Sequence, residues 1–192
     1  MTPRPSSVLA SVLAAAGMVL TVTSCSHLTP FGPGPDRTTP PPPRHLASPI
    51  ILQVVRSEPS GGPSECPAGS VAVSAPPGAP GLGCYRPVGA PVTITTAGIS
   101  PVFTERPTRP PGQPAQPTQY GFMVAVPPAE VAAVTALIRK AYDSRDALGV
   151  TAAGRLWEAP QIAAPFPGRW LQIAFLTKNQ ALQLHRILVP RA

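Results

Sequence analysis

Three cysteines, three histidines and a few carboxylates are the side chains through which this 192-residue chain could do chemistry. The histidines stand far apart: His27 and His45 lie in a proline-rich N-terminal stretch, and His185 lies near the C-terminus. No H-E-x-x-H, G-x-S-x-G, phosphate-loop or dinucleotide pattern occurs, so the sequence holds none of these paired or phosphate-cradling arrangements. Asp143, Asp146 and Glu158 could in principle converge, but their spacing predicts solvated positions at a helix end and in a hairpin. Two cysteines with no nearby histidine do not complete a zinc site, and a nucleophilic cysteine needs a reduced thiol beside a base. The expectation is a protein with no catalytic residues, no metal and no cofactor.

Cys25 has a different use. It follows Arg4 and an apolar run from Val8 to about Val22, the parts of a secretory signal. A spanning helix needs roughly 20 apolar residues, and Ser11, Gly17 and Thr21 interrupt this run, so an export signal fits better than a permanent span. Val22-Thr23-Ser24-Cys25 resembles the bacterial lipobox, in which a branched apolar residue stands three before a cysteine and small residues lie between. That resemblance implies removal of residues 1–24 and a diacylglycerol on Cys25, so that the protein meets the membrane through this lipid, on its extracytoplasmic face. Two acyl chains hold durably where one is marginal, each buried methylene contributing about 0.8 kcal/mol. In such an oxidising compartment the default reading of Cys66 and Cys84 is a disulfide. Closing the Pro-, Gly- and Ala-rich stretch between them would contribute about 3 kcal/mol by restricting the unfolded chain.

Removing the first 24 of 192 residues leaves 168, the size of one domain with appendages. Thirty prolines are too many for a single core, and they cluster. Residues 25–48 predict a disordered, extended tether, and residues 104–119, "TERPTRPPGQPAQPTQ", predict a long exposed loop inside a domain spanning 49–192. Arginine outnumbers lysine thirteen to two, and with abundant alanine and proline this is a bias typical of high-GC actinobacterial genomes. Loss of the signal takes the net charge from +7 to +6, because only Arg4 leaves. A basic balance suits anionic lipid head groups or wall polymers, whereas the scattered arginines form no stripe for nucleic acid.

Apolar spacing then supplies the elements. Pro49 to Val55 and Tyr120 to Val126 are short runs rich in branched residues and predict strands. Val131, Val134, Leu137, Ile138, Ala141 and Tyr142 recur at helical spacing behind Pro128, which suits a first turn. Ala153-Gly154 predicts the turn of a hairpin between "GVTA" and "RLWE", and Trp170 to Phe175 predicts another strand. Thr177 and Gln180 make a capping box that opens a helix to about Leu188, with Ala181, Leu184 and Leu188 buried and Pro190 as its stop. The fold class is α+β: a small antiparallel or mixed sheet with two main helices on one face.

From about Cys84 to Leu188 the chain resembles the head subdomain of the large periplasmic domain of SecD, the protein-export factor. The matching stretches are "YGFMVAVPPAEVAAV", "GVTAAGRLWEAPQI" and "GRWLQIAFLTKNQA". Gly154 takes the family's hairpin glycine, Ala159, Pro160 and Ile162 its Ala-Pro-x-Ile segment, and Gly168, Ile173, Phe175 and Thr177 its last strand and cap. "CYRPVGAPVTITTAG" looks like its lead-in, which implies a short helical stretch after Cys84 and Tyr85. Ala153 stands where the family usually has aspartate, and the proline-rich insertion separates elements that are normally closer. SecD moves its head by proton flow through membrane helices. With no span beyond the cleaved signal expected here, the resemblance implies an accessory or a reused binding module.

Trp157 and Trp170, each near an arginine (Arg155 and Arg169), are the candidate recognition surface, since aromatic and arginine side chains concentrate at binding hot spots. The alternative is that one or both tryptophans pack between sheet and helices. Two functions remain open. One is a lipoprotein that binds exported polypeptides or translocase components without catalysis; the other is a cell-envelope structural or ligand-binding lipoprotein that reuses the fold.

Overall fold

The structure, a computed structural model, describes residues 41–59, 66–74, 82–105, 118–166 and 168–190. The signal, Cys25, His27, most of the tether and most of the proline-rich loop lie outside these residues. Among the described residues eight strands and two helices follow in the order β1 (Arg44–Glu58), β2 (Val71–Ser74), β3 (Leu82–Ile99), β4 (Phe103–Glu105), β5 (Gln119–Ala125), α1 (Pro128–Ser144), β6 (Ala147–Ala152), β7 (Arg155–Glu158), β8 (Trp170–Leu176) and α2 (Lys178–Leu188).

The result is an α+β fold with one curled antiparallel sheet. Its strands run β4-β5-β3-β1-β6-β7, with β2 added to β3 and β8 added to β5. β1 is central because alternate residues Ile50, Leu52 and Val54 are fully buried, which directs one face at the core. Val134, Leu137, Ile138 and Ala141 of α1 and Ala181, Leu184 and Leu188 of α2 join them in a single cluster. Each of the valine, leucine and isoleucine side chains contributes about 1.5–3 kcal/mol by leaving water, and each alanine less. Val55, Val73, Met123, Leu156 and Ala174 are buried outside that cluster, so the curl of the sheet also covers apolar side chains that the helix-covered core does not include.

Two elements differ from the sequence reading. β1 starts at Arg44, so residues 44–48 are strand, not tether. Pro49, which has no N–H to give a ladder, sits inside the register shift between His45 and Ile50, where the missing donor costs little. The helical stretch expected after Cys84 and Tyr85 is instead part of β3. Pro87 and Pro91 exclude a helix interior, and a second register shift, opposite Gln53, takes up residues 89–91. The Gln53 side chain donates to the Gly89 carbonyl at 2.7 Å and fixes that shift.

β2 and β4 were not expected, and Thr104, Glu105 and Gln119, read as loop, are strand, whereas β5, α1, β6, β7, β8 and α2 fall where spacing put them. Thr177 Oγ1 accepts the Gln180 N–H at 3.2 Å while Gln180 Oε1 accepts the Thr177 N–H at 3.0 Å, the reciprocal box that opens α2. α1 ends on Arg145 in the left-handed region (φ 57°), its N–H turned back to the carbonyls of Ala141 and Tyr142. Tyr142, expected on the buried stripe, is exposed.

Candidate functional site

The hairpin of β6 and β7 carries the first candidate pair. Ala153 and Gly154 both have positive φ (48° and 72°), the backbone of a two-residue turn whose twist matches the strands. A register shift between Val150 and Thr151 leaves Trp157 as the extra residue of β7. Trp157 is consequently interior: 5% exposed, part of the helix-covered cluster, with its indole N–H donating to the Ala152 carbonyl at 3.1 Å. The Arg155 guanidinium lies 4.5 Å from the centre of the indole ring and shields it from solvent. Trp157 thus offers no contact face, and Arg155 is the exposed member of the pair.

Arg169 and Trp170 stand at the start of β8. The Arg169 carbonyl accepts the Val126 N–H at 2.8 Å, which docks this corner against the end of β5, and Trp170 pairs with Ala125. Arg169 is exposed and Trp170 half-buried. Of the four candidate residues, these two combine a partly open aromatic surface with an exposed cation.

The carboxylates depart from the expectation of solvation, apart from Asp143, which stays exposed in a loose 3.8 Å pair with Arg139. Asp146 is 8% exposed and takes a fork of two bonds from Arg56, at 3.1 Å from Nε and 3.3 Å from Nη2. That guanidinium holds the Asp146 carboxyl below the usual range. Glu58 meets Arg86 at 2.6 Å and accepts the Ser70 hydroxyl, and these two bonds hold its carboxyl low as well. Because Arg56 opposes Arg86 across the β1–β3 ladder, the two carboxylates also separate two like charges.

Glu158, expected at a solvated hairpin position, is buried instead. It is 8% exposed, one carboxyl oxygen has no hydrogen-bond partner, and the backbone N–H of Ala174 donates to the group. β2, β6 and β8 contain no ionisable side chain, so no cation in them offsets the burial. Desolvation pushes the Glu158 carboxyl well above its ordinary value. The one available signal was its setting, a single carboxylate directly after Leu156 and Trp157.

Cys66 and Cys84 are joined, with Cα atoms 5.4 Å apart. Cys84 opposes Glu58 in the ladder, so the disulfide and the Ser70–Glu58 bond fix residues 66–70 to the same end of β1. His185 is also committed: Nε2 lies 3.2 Å from the Ser100 carbonyl, and the ring meets Phe122 edge-on at 5.6 Å. His45 is exposed beside Thr96. Among the described residues no group of three potential ligands could hold a metal ion, and no helix is long and apolar enough to cross a membrane.

Where the chain enters β1 and leaves α2, Pro41, Leu46, Ile99, Val189 and Pro190 line an apolar cleft of about 170 Å³ with Arg44 beside them. No protein-family model, curated protein or solved structure matches this chain.

Proposed function

We propose that the chain is a membrane-anchored, extracytoplasmic lipoprotein whose domain binds protein or peptide segments without catalysis and assists protein export. The lipobox ending at Cys25 carries the location. The Cys66–Cys84 disulfide supports it, since such bonds persist in oxidising compartments. The order strand, helix, hairpin, strand, helix from Gln119 to Leu188 is the order that the SecD-head resemblance calls for.

Binding rests on Arg169 and Trp170, an exposed guanidinium next to a half-buried indole on a strand end held by β5. Catalysis is not part of the reading: among the described residues Asp146 is engaged by Arg56, Glu58 by Arg86 and Ser70, and His185 sits beside the Ser100 carbonyl and Phe122, while Glu158, with one unpartnered carboxyl oxygen, is buried.

The test is in-cell crosslinking from a photoreactive residue at position 170, with position 157 as the buried control. Adducts to translocase subunits or to many secreted polypeptides are expected at 170 alone. Adducts confined to one envelope protein, or none, would overturn the export role and leave a cell-envelope lipoprotein that reuses the fold.

A further inference from the structure

We infer that the cleft at the domain's chain entrance and exit is a docking surface for anionic phospholipid of the same membrane that holds Cys25. The inference rests on the lipid-anchor reading and adds to it which face of the domain meets the bilayer. The cleft joins the two ends of the fold, Pro41 and Pro42 from the start and Val189 and Pro190 from the finish, over a floor of Ala97 and Ile99. Along the chain it is the part of the domain nearest the anchor. From Cys25 to Pro41 there are 16 residues, which span at most about 55 Å, so this end reaches the membrane surface without strain.

Charge selects the occupant. After Glu158 the sequence contains no carboxylate side chain, yet it carries Arg169, Lys178, Arg186 and Arg191. Between Asp36 and Glu58 it again has none, while Arg37, Arg44 and Arg56 fall there, and of these Arg56 is engaged by Asp146. The chain segments that lead into the cleft and out of it are thus cationic in sequence, with Arg44 in its lining and Arg186 three residues before Val189. Arg44 is exposed at its mouth, and among the described residues its side chain makes no hydrogen bond or ion pair. An apolar crevice beside an uncompensated guanidinium matches an acyl chain beneath a phosphate, with the aliphatic stem of Arg44 lying against the apolar wall and its head in the interface.

The test uses the full mature chain with Cys25→Ser, so that no covalent lipid contributes, and follows co-flotation with phosphatidylglycerol vesicles against phosphatidylcholine vesicles. Binding is expected on the anionic vesicles alone, and it should fall when salt is raised from about 0.1 M to about 1 M, as the screening length drops from about 10 Å to about 3 Å. Arg44→Ala should weaken it about fivefold and Arg44→Glu further, while Arg139→Glu, outside the cleft, should have a much smaller effect. Ile99→Asp should abolish the salt-resistant remainder. Because Ile99 is half-buried, circular dichroism checks that this variant folds, and the exposed Arg44 variants decide the matter if it does not. Equal binding to both vesicle types, no effect of Arg44→Glu, or binding to an anionic wall polymer but not to vesicles would overturn the inference. Lipidation is read separately, from the mass of the Cys25 peptide of the unmutated protein. A lipidated Cys25 with no vesicle binding by the Cys25→Ser chain sinks the docking surface and leaves the anchor standing.

Discussion

The carboxyl group of Glu158 on β7 accepts the backbone N–H of Ala174 on β8, although these two strands share no ladder. β7 lies at one end of the strand order and β8 is added to β5 near the other, so this bond joins the two arms of the curled sheet. A side chain does here what a neighbouring strand would do, satisfying a donor on the edge of β8. The carboxyl is buried, and one of its oxygens is unpartnered.

Stability should therefore depend on pH through Glu158. Burial raises its folded-state value above the ordinary 4.5, so between these values the folded chain keeps a proton that the unfolded chain has released. Stability contributed by the neutral acid is full below about pH 4.5 and declines with a slope of up to about 1.4 kcal/mol per pH unit as pH rises through the folded-state value. Asp146 and Glu58, both held low, act in the opposite sense and lose stabilisation as pH falls through their folded-state values. Glu158→Gln retains a carbonyl for the Ala174 N–H and removes the titration. Urea unfolding from pH 5 to 8 should show a falling stability in the parent and a flatter profile in the variant. Parallel profiles would sink the account.

The hairpin turn should be improvable. Ala153 holds φ at +48°, a region that costs a residue with a Cβ about 1–2 kcal/mol, whereas asparagine and glycine occupy it readily. Its N–H already donates to the Ser48 hydroxyl at 3.0 Å, so the turn is anchored and the backbone will not relax elsewhere. Ala153→Asn and Ala153→Gly should each raise stability by about 0.5–1 kcal/mol, read as a higher denaturant midpoint at unchanged slope.

Reducing the disulfide should loosen one end of the sheet and spare the other. The bond closes 18 residues of sequence separation, for which the unfolded-chain argument gives about 3 kcal/mol. Its loss also frees Ser70 from Glu58, and with it the hold on β2. Hydrogen exchange after Cys66→Ser should speed up in Val71–Ser74 and in the Cys84 end of β3, while Phe122–Val124 in β5 stays protected. Uniform loss of protection would show that the pair supports the whole core.

Periodicity and capping made the second half of the chain legible, because the information there is local. α1 shows in the spacing of Val134, Leu137, Ile138 and Ala141, α2 in Thr177 and Gln180, and the hairpin in Gly154. β3 was not legible, since Pro87 and Pro91 interrupt its pattern and its identity comes from pairing with β1, 26 to 53 residues earlier (Glu58 with Cys84 to Arg44 with Ala97). The same holds for the site. Burial of Trp157 depends on a register shift in β7, and burial of Glu158 depends on where β8 returns, neither of which a window of neighbouring residues contains. Tyr142 illustrates the converse: its spacing matched the edge of the buried stripe, but Ala141 takes the buried place in the last turn of α1, and Tyr142, the next residue round the helix, is exposed.

Gly98 is the position at which fold and cleft can be separated. A Cβ there would run into the backbone carbonyl of Pro41 and press on Ala125, because the chain entering the domain crosses β3 at this point. Pro41 cannot withdraw without moving one wall of the cleft, while β3 itself is held by β1 on one side and by β5 through Gly98 and Ile99 on the other. The strand is the better fixed of the two, so Gly98→Ala should displace the incoming chain and leave the sheet in place. The expected cost is about 1–3 kcal/mol, the range for an inserted methyl in a filled space, with near-native circular dichroism. Exchange at His45 and Leu46 should speed up, and vesicle binding should fall even though no charge has changed. A variant that loses stability but binds vesicles as the parent does would show that the cleft wall is irrelevant to docking and that the cationic segments alone carry it.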